Sequence, residues 1–397
     1  MSDEKTTIGE RVRKLRGRLY TQRQLAERAG VSVDLVRKLE QGTRRTASVA
    51  SLHALARALD VPLPDLLGRH AFPQHDPGEG VTALRFAVSD VGDLLDHGEA
   101  EPFGMGEAER ELTYLWGTYW SGAYDTLTAL LPPALHGLTA TYGAAAPGQR
   151  PHAAEMLARG MWVAGCTLVH LRQTDAAFLA VRQAITAADQ ANDPLLAATV
   201  RGSLSWQLLA SGRHAESESL ALRAAETITP RGQASLPALS AYGSLVLTAG
   251  TAAARARNGA RARELVAESA AVAERMGTDR DDYQTAFGPS QIAMQTVDVG
   301  VQTGEFGQAL SAARTMPNGA AALPLASRAR HATDRAVAHT RLGQHDHAAN
   351  LVLTAEAMAP KWARHQALLR SVTGDLLHTR ASQLPRLREL ANRIGAR

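Results

Sequence analysis

The sequence predicts an all-α protein in two parts: a compact N-terminal module of five short helices, then a long array of paired helices. Three observations predict it. Residues 8–67 hold five short apolar-periodic segments separated by turn chemistry. Farther on, long apolar-periodic segments recur in pairs around polar knuckles, roughly 40–50 residues apart. Aromatic residues make up 5% of the chain and hydrophobic residues 45%, which is ample for a core and favours helices.

Ile8, Val12, Leu15 and Leu19 recur at helical spacing and make the first segment amphipathic. Thr21 caps the second helix, and Gln24 three residues later completes a capping box. Leu25, Ala26 and Ala29 form its inner face, with small Ala26 allowing a close helix crossing. Gly30 supplies the positive φ that a tight turn after a helix favours. Ser32 caps the third helix, whose inner face is Leu35, Val36 and Leu39. Val49, Leu52, Leu55, Ala56 and Leu59 form the fourth helix. Segment 61–67 closes the core, with Pro62 and Pro64 as stop and start signals.

The helix-turn-helix arrangement at 21–42 leaves Val33, Asp34, Arg37 and Lys38 facing away from the core. In such motifs the second of the two helices enters the major groove with its N-terminal residues at base edges. Arg37 and Lys38 reach guanine acceptors or phosphates, Asp34 accepts from a cytosine amino group, and Val33 touches a thymine methyl. Gln22 is placed for a phosphate contact, while Thr21 and Ser32 sit at the two helix starts that approach the DNA. Thr43, Arg44 and Arg45 follow the third helix and hold the DNA backbone.

The pattern Thr21-Gln22-x-x-Leu25-Ala26, the Gly30 turn, Leu39-Glu40-x-Gly42 and the Leu-Ala-x-x-Leu fourth helix together resemble the Xre/Cro/C1 family of helix-turn-helix regulators. The resemblance covers residues 8–67 and implies a five-helix, lambda-repressor-like domain that binds double-stranded DNA. It also implies that Arg16 pairs with Glu40 across the core. Ala47 departs from the family pattern, where a proline is common. Charge agrees with the implied partner. Residues 1–68 hold 13 Lys and Arg against 8 Asp and Glu; the remainder holds 30 against 31. The whole +4 excess of the chain therefore sits on the DNA reader, where phosphate neutralisation needs it.

Residues 69–80 read as a linker rich in Pro and Gly, followed by a helix at 81–96 and a break at 97–106. The domain reading is thus 1–68 for the DNA reader, 69–106 for a linker with one helix, and 107–397 for the array. Knuckles stand at 121–124, 172–175, 211–214, 257–259, 303–306 and 342–345. Small residues follow several of them: Ala177 and Ala184, Ala309, Ala348 and Ala355, with Pro360 ending the sixth pair. These positions resemble a divergent tetratricopeptide array, an α-solenoid of stacked helix pairs. An Xre-type reader with such an array is similar to regulators common in actinomycetes and, more distantly, to peptide-pheromone receptors of Gram-positive bacteria. Amphipathic segments at 362–377 and 384–394 serve as a terminal cap or as a dimer interface.

The resemblance implies that the first helix of each pair lines the inner face of the array. Counting back from each knuckle places Trp116, Arg159, Trp162, Trp206, Gln291, Gln295, Asp298, Arg330 and Asp334 there. Aromatics beside amides and charges suit an extended peptide or an amphipathic small molecule. A Trp at helical spacing in a solenoid is usually core, and the charges also suit a solvated inner face.

Other functions find less support. Cys166, the one cysteine, lies in an apolar run and reads as a small buried residue. His345-Asp346-His347 has no further ligand at metal spacing. No phosphate-cradling Gly-rich loop ending in Lys-Ser or Lys-Thr occurs, and Gly202-x-Ser-like spacing lacks the strand-to-turn setting of a nucleophile. No enzyme, metal or cofactor is expected. The polar N-terminus and the lack of an apolar run of about 18 residues argue for a cytoplasmic protein without a membrane span. The expected function is a dimeric transcription regulator on an inverted-repeat operator, with an effector bound by the array. The alternative is a scaffold whose array binds a partner protein.

Overall fold

The computed structural model describes residues 7–17, 20–44, 47, 49–59, 77–90, 100–317, 323–379 and 384–396, with backbone alone at 49, 50, 53, 57, 77 and 78. The chain forms two units, Met1–Asp76 and Pro77–Arg397. Among the described residues every regular element is a helix, and one isolated antiparallel bridge joins Arg280 to Phe287.

In the first unit, Thr7 opens α1 (Ile8–Arg16) through a capping box with Glu10. Thr21 and Gln24 do the same for α2 (Gln22–Ala29), which Gly30 ends at φ 64°. Ser32 caps α3 (Val33–Glu40) by accepting from the Leu35 N–H at 3.2 Å. With α4 (Val49–Ala58) these helices bury Val12, Leu25, Ala26, Leu35, Val36, Leu39, Leu52, Leu55 and Ala56. Leu19 and segment 61–67, the expected fifth helix, lie outside the described residues. Gly9 has a role that periodicity did not reveal. A Cβ there would run into the Leu39 carbonyl, so α1 can lie on the end of α3 only with glycine at this position.

Among the described residues the second unit contains six helix pairs. They are α6 (Met105–Trp120) with α7 (Tyr124–Ala144), α8 (Arg150–His170) with α9 (Thr174–Ala188), and α10 (Pro194–Ala210) with α11 (His214–Thr227). There follow α12 (Leu236–Arg255) with α13 (Gly259–Met276), α14 (Pro289–Thr303) with α15 (Phe306–Ala312), and α16 (Leu325–Arg341) with α17 (His345–Met358). Every knuckle falls where turn chemistry set it. Each has one residue with left-handed backbone: Gly122, Arg172, Gly212, Arg257, Gly304 and Gly343. Glycine adopts that conformation without the steric cost borne by Arg172 and Arg257.

Partners within a pair approach through small side chains. Ala177, Ala184, Ala348 and Ala355 are fully buried. A Cβ on Gly300 would stand 2.9 Å from that of Ala309, so α14 and α15 touch nearly backbone to backbone. First helices stack on one another in order, α6 on α8, then α10, α12, α14 and α16.

α5 (Pro77–Val88) starts before residue 81 and stops well short of 96, so its first turn is drawn from the segment read as linker. It packs on α7, α8 and α9, with Leu84 and Val88 fully buried. Gln183 Nε2 on α9 donates to the Val88 carbonyl at 2.8 Å. α12 is 20 residues long and apolar enough to cross a membrane by length and composition, contrary to the expectation that no such run exists. About two-thirds of it is buried inside the unit, against α10, α11, α13 and α14.

The chain ends in α18 (Pro360–Ala363), α19 (Ala367–Leu377) and α20 (Pro385–Ile394). The apolar face of α20, Leu387, Leu390, Ala391 and Ile394, is buried within the chain against α17 and α19. That face is spent as a cap and is not open for a dimer. The array also closes on itself. Trp362, 3% exposed, packs on the first knuckle, where a Cβ on Gly122 would come 2.7 Å from the Trp362 Cβ. Next to it, His365 Nε2 lies 3.7 Å from Asp125 Oδ1 and its ring meets that of Tyr124 at 5.6 Å.

Removing the closing side chain tests how much the seam matters. Trp362→Ala is expected to destabilise the second unit by about 3–5 kcal/mol, the usual cost of emptying a buried Trp site. Urea denaturation of the full-length protein, followed by tryptophan-independent far-UV circular dichroism, measures it.

Candidate nucleic-acid interface and repeat-unit site

Glu40 ends α3 with a side chain only 3% exposed. Arg16, at the last position of α1, meets it with both fork nitrogens: Nε to Oε1 at 2.7 Å and Nη2 to Oε2 at 2.9 Å. Gln22 Nε2 donates to Oε2 at 2.8 Å, and Arg16 Nη1 donates to the Tyr20 carbonyl at 2.7 Å. Burial pushes the Glu40 carboxyl up, yet the hydrogen bonds from Arg16 and Gln22 and the charges of Arg16 and Arg13 outweigh it and hold it below its usual range. The Arg16–Glu40 pair implied by the resemblance is therefore present. Gln22, expected at a phosphate, spends its amide on Glu40 and ties α2 to the same carboxylate.

That frame fixes the outward face of α3. Val33 is 43% exposed, and Arg37 and Lys38 are also exposed. Asp34 lies between the two cations: Lys38 Nζ is 2.7 Å from Oδ2, and Arg37 Nη2 donates to Oδ1. The Lys38 hydrogen bond is the main reason the Asp34 carboxyl is held below its usual range. Thr43 Oγ1 donates to the Lys38 carbonyl at 3.0 Å, and the Arg44 N–H donates to the same oxygen at 3.0 Å. The segment after α3 is thus folded back on the helix end, next to Lys38. Thr21 and Ser32 both use their hydroxyls as helix caps. Arg45 lies outside the described residues.

In the second unit eight of the nine expected inner-face residues fall into two groups. Trp116 and Trp162 are each 3% exposed and stand edge to face at 4.8 Å, so they are core and do not lie open. Trp162 Nε1 donates to Ser203 Oγ at 2.5 Å, while Trp116 Nε1 is buried without a partner. Trp206 is half-buried, its ring 5.4 Å from His170. Arg159 Nη1 lies 3.5 Å from Glu155 Oε1. Residues missed from sequence complete this aromatic group: Tyr119, Trp120, Tyr124 and His170. Tyr124 stacks on His170 at 4.2 Å with an 8° tilt, and Tyr119 Oη lies 3.3 Å from His170 Nε2.

A loop from the other half of the unit reaches this group. Tyr283, Gln284 and Ala286 all have left-handed backbone, which costs a non-glycine residue about 1–2 kcal/mol each. Trp120 Nε1 donates to Gln284 Oε1 at 2.6 Å, and Tyr283 Oη donates to Asp193 Oδ2 at 2.8 Å. Gln284 thus covers the polar edge of Trp120.

The second group is one polar network. Asp298 on α14 accepts from Arg330 Nη2 at 3.0 Å and Arg255 Nη2 at 3.5 Å, and Gln295 Nε2 donates to it at 3.0 Å. Arg330 Nε also donates to Asp334 at 2.9 Å, and Gln295 Nε2 to Thr251 Oγ1 at 2.6 Å. Burial raises the Asp334 carboxyl, opposed by Arg330. Four expected residues, Gln295, Asp298, Arg330 and Asp334, are therefore brought together, joining α12, α14 and α16. They are largely satisfied by one another. Gln291 stands apart, with its Oε1 buried and unpartnered.

Two measurements follow from this chemistry. Removing one partner of a buried pair leaves an uncompensated charge, so Glu40→Ala is expected to destabilise the first unit by about 3–5 kcal/mol. Hydrogen exchange of the α1 and α3 amides in the full chain reads it. His170 is held near 3 against an ordinary 6.5, by burial first and then by the charge of His365. Its folded value lies below the unfolded one, so the unfolded chain binds the extra proton. The stability it contributes is fully present above pH 6.5 and is lost as pH falls toward 3. The slope from one such group is at most about 1.4 kcal/mol per pH unit. His170→Gln is expected to flatten the loss seen by urea denaturation between pH 6.5 and 5.

Residues 12–66 match the family model described as helix-turn-helix. No protein among curated relatives matches the chain. Among solved structures the chain is similar to PlcR of Bacillus thuringiensis, crystallised in complex with the peptide PapR7 and DNA. The two are 14% identical over 68% of this chain and 95% of that one, with a TM-score of 0.28. So loose a superposition fixes neither ligand nor partner. The matched segment, the αL turn at Gly30 and the outward face of α3 agree on one assignment. The N-terminal unit is a helix-turn-helix DNA-binding domain of the Xre/Cro/C1 type.

Proposed function

We propose that the chain is a sequence-specific transcription regulator that binds an inverted-repeat operator as a homodimer and is controlled by an effector in its repeat unit. The observation that carries the reading is the outward face of α3. Val33, Asp34, Arg37 and Lys38 stand on a helix whose inner face is buried and whose end is tied to α1 and α2 through Glu40. Such a face offers an apolar contact for a thymine methyl and fork donors for guanine. Thr21, Gln22, Ser32, Thr43, Arg44 and Arg45 are the proposed flanking contacts. One reader of this size buries little DNA surface, which favours two readers about one helical turn apart.

For the effector, the half-buried Trp206, Gln291 with its unpartnered oxygen, and the network of Gln295, Asp298, Arg330 and Asp334 are the proposed contacts, with Arg159 at the edge. Trp116 and Trp162 belong to the buried cluster against which Trp206 packs. An effector shifts operator binding only by favouring one arrangement of the array over another.

Selection of genomic fragments by the full-length protein, followed by sequencing, tests the reading. A palindromic motif with half-sites about 10 base pairs apart is expected. Fragments without a motif would overturn operator recognition. On the selected site, Arg37→Ala and Lys38→Ala are each expected to cost about 1–3 kcal/mol of specific binding. Wild-type affinity in the double variant would remove α3 from the interface.

A further inference from the structure

We propose that α16 carries an anion subsite, built from Arg328, His331 and Arg335, that takes the carboxylate or phosphate group of a small ligand. The proposal rests on the reading that the repeat unit binds an effector, and it adds the chemical group that effector carries.

Arg328, His331 and Arg335 stand at i, i+3 and i+7 and share one helix face. Asp334, the one acid on α16, is turned about 100° away and is engaged by Arg330. Among the described residues neither Arg328 nor Arg335 forms an ion pair, although Arg330 beside them has two carboxylates. Arg335 is half-buried, with its Nε shut from solvent and without a partner. Burial alone lowers its guanidinium, and no carboxylate acts on it in return. His331 is 9% exposed and its Nδ1 also lacks a partner. Burial and the charge of Arg335 keep that ring neutral, near 4.

A half-buried cation without a counter-charge and a buried ring nitrogen without a hydrogen bond both cost free energy. One oxyanion relieves both. A guanidinium fork matches two oxygens of a carboxylate or phosphate, and a neutral imidazole can donate from Nδ1 to another. The stripe lies on a first helix, the same helix that contributes Arg330 and Asp334 to the polar network. An effector's anionic group at Arg335 would therefore sit one residue from the ion pairs that join α14 to α16.

Isothermal titration of inorganic phosphate, and separately acetate, into the full-length protein tests the subsite. Saturable one-to-one binding of at least one anion is expected, and which one binds distinguishes phosphate from carboxylate ligands. Arg335→Gln is expected to weaken it at least tenfold and Arg335→Lys several-fold, with circular dichroism unchanged. Arg223→Gln, an exposed arginine on α11, is expected to bind as the wild type does. Absence of saturable binding, equal loss in Arg223→Gln, or wild-type binding by both Arg335 variants would overturn the proposal. Should Arg335→Gln not fold, Arg335→Lys alone decides it. Operator binding measured on the same samples separates the two readings: an intact operator complex without an anion site sinks the subsite and leaves the regulator standing.

Discussion

Glu40 is the point on which the DNA-binding unit depends. A carboxylate 97% removed from solvent survives only if it is matched, and here it is matched by the Arg16 fork and the Gln22 amide. The three donors come from α1 and α2, and the acceptor ends α3. One side chain therefore fixes the relative position of all three helices, including the one whose outer face is proposed to read DNA. Gly9 serves the same end by letting α1 settle on the Leu39 carbonyl. The polar frame and the close approach are one device: bringing α1 that near is what lets Arg16 reach Glu40.

The repeat unit solves a different problem. Its helices are rich in Ala and poor in large side chains, so each pair gains burial by near-contact of backbones, as at Gly300 and Ala309. Close pairs leave little room to slide, and the left-handed residue in every knuckle sets the return of the chain. A stack of such pairs would leave its ends uncovered. Here α20 covers one end, and Trp362 with His365 joins the last pair to the first. The ends of the unit are thus coupled through a seam, and a change at one helix pair has a physical path to the others.

Local chemistry was legible and long-range contact was not. Thr21, Gln24, Gly30 and Ser32 announce their turn because caps and positive φ act within four residues. The knuckles show for the same reason. Arg16–Glu40 spans 24 residues and was reached only through family resemblance. Trp362 on Gly122, and Gln284 on Trp120, link segments with no shared sequence pattern. The tryptophans mark the limit most clearly. Helical spacing put Trp116, Trp162 and Trp206 on one list, yet only Trp206 keeps an accessible side. Spacing tells which face a residue occupies on its own helix; what covers that face depends on neighbours distant in sequence. Asp298, Arg330 and Asp334 were likewise placed on inner faces by counting, but that they engage one another across helices was not legible.

The position of Asp34 bears on how the reader discriminates. In the free protein it engages both Lys38 and Arg37, so the outward cations of α3 are partly neutralised by their own helix. All three side chains are solvent-accessible, and an exposed pair of this kind is weak and screened by salt. DNA phosphate or guanine can therefore displace the carboxylate at little cost. The carboxylate then needs a donor, and at a base edge only the exocyclic amino groups of cytosine or adenine supply one. A site lacking such a group at that position leaves an acid facing acceptors and phosphates. On the proposed reading, Asp34 would act mainly by penalising wrong sequences, while Arg37 and Lys38 would supply the attraction. Selectivity in the proposed complex would then come from an acid held among its cations, as much as from the cations themselves.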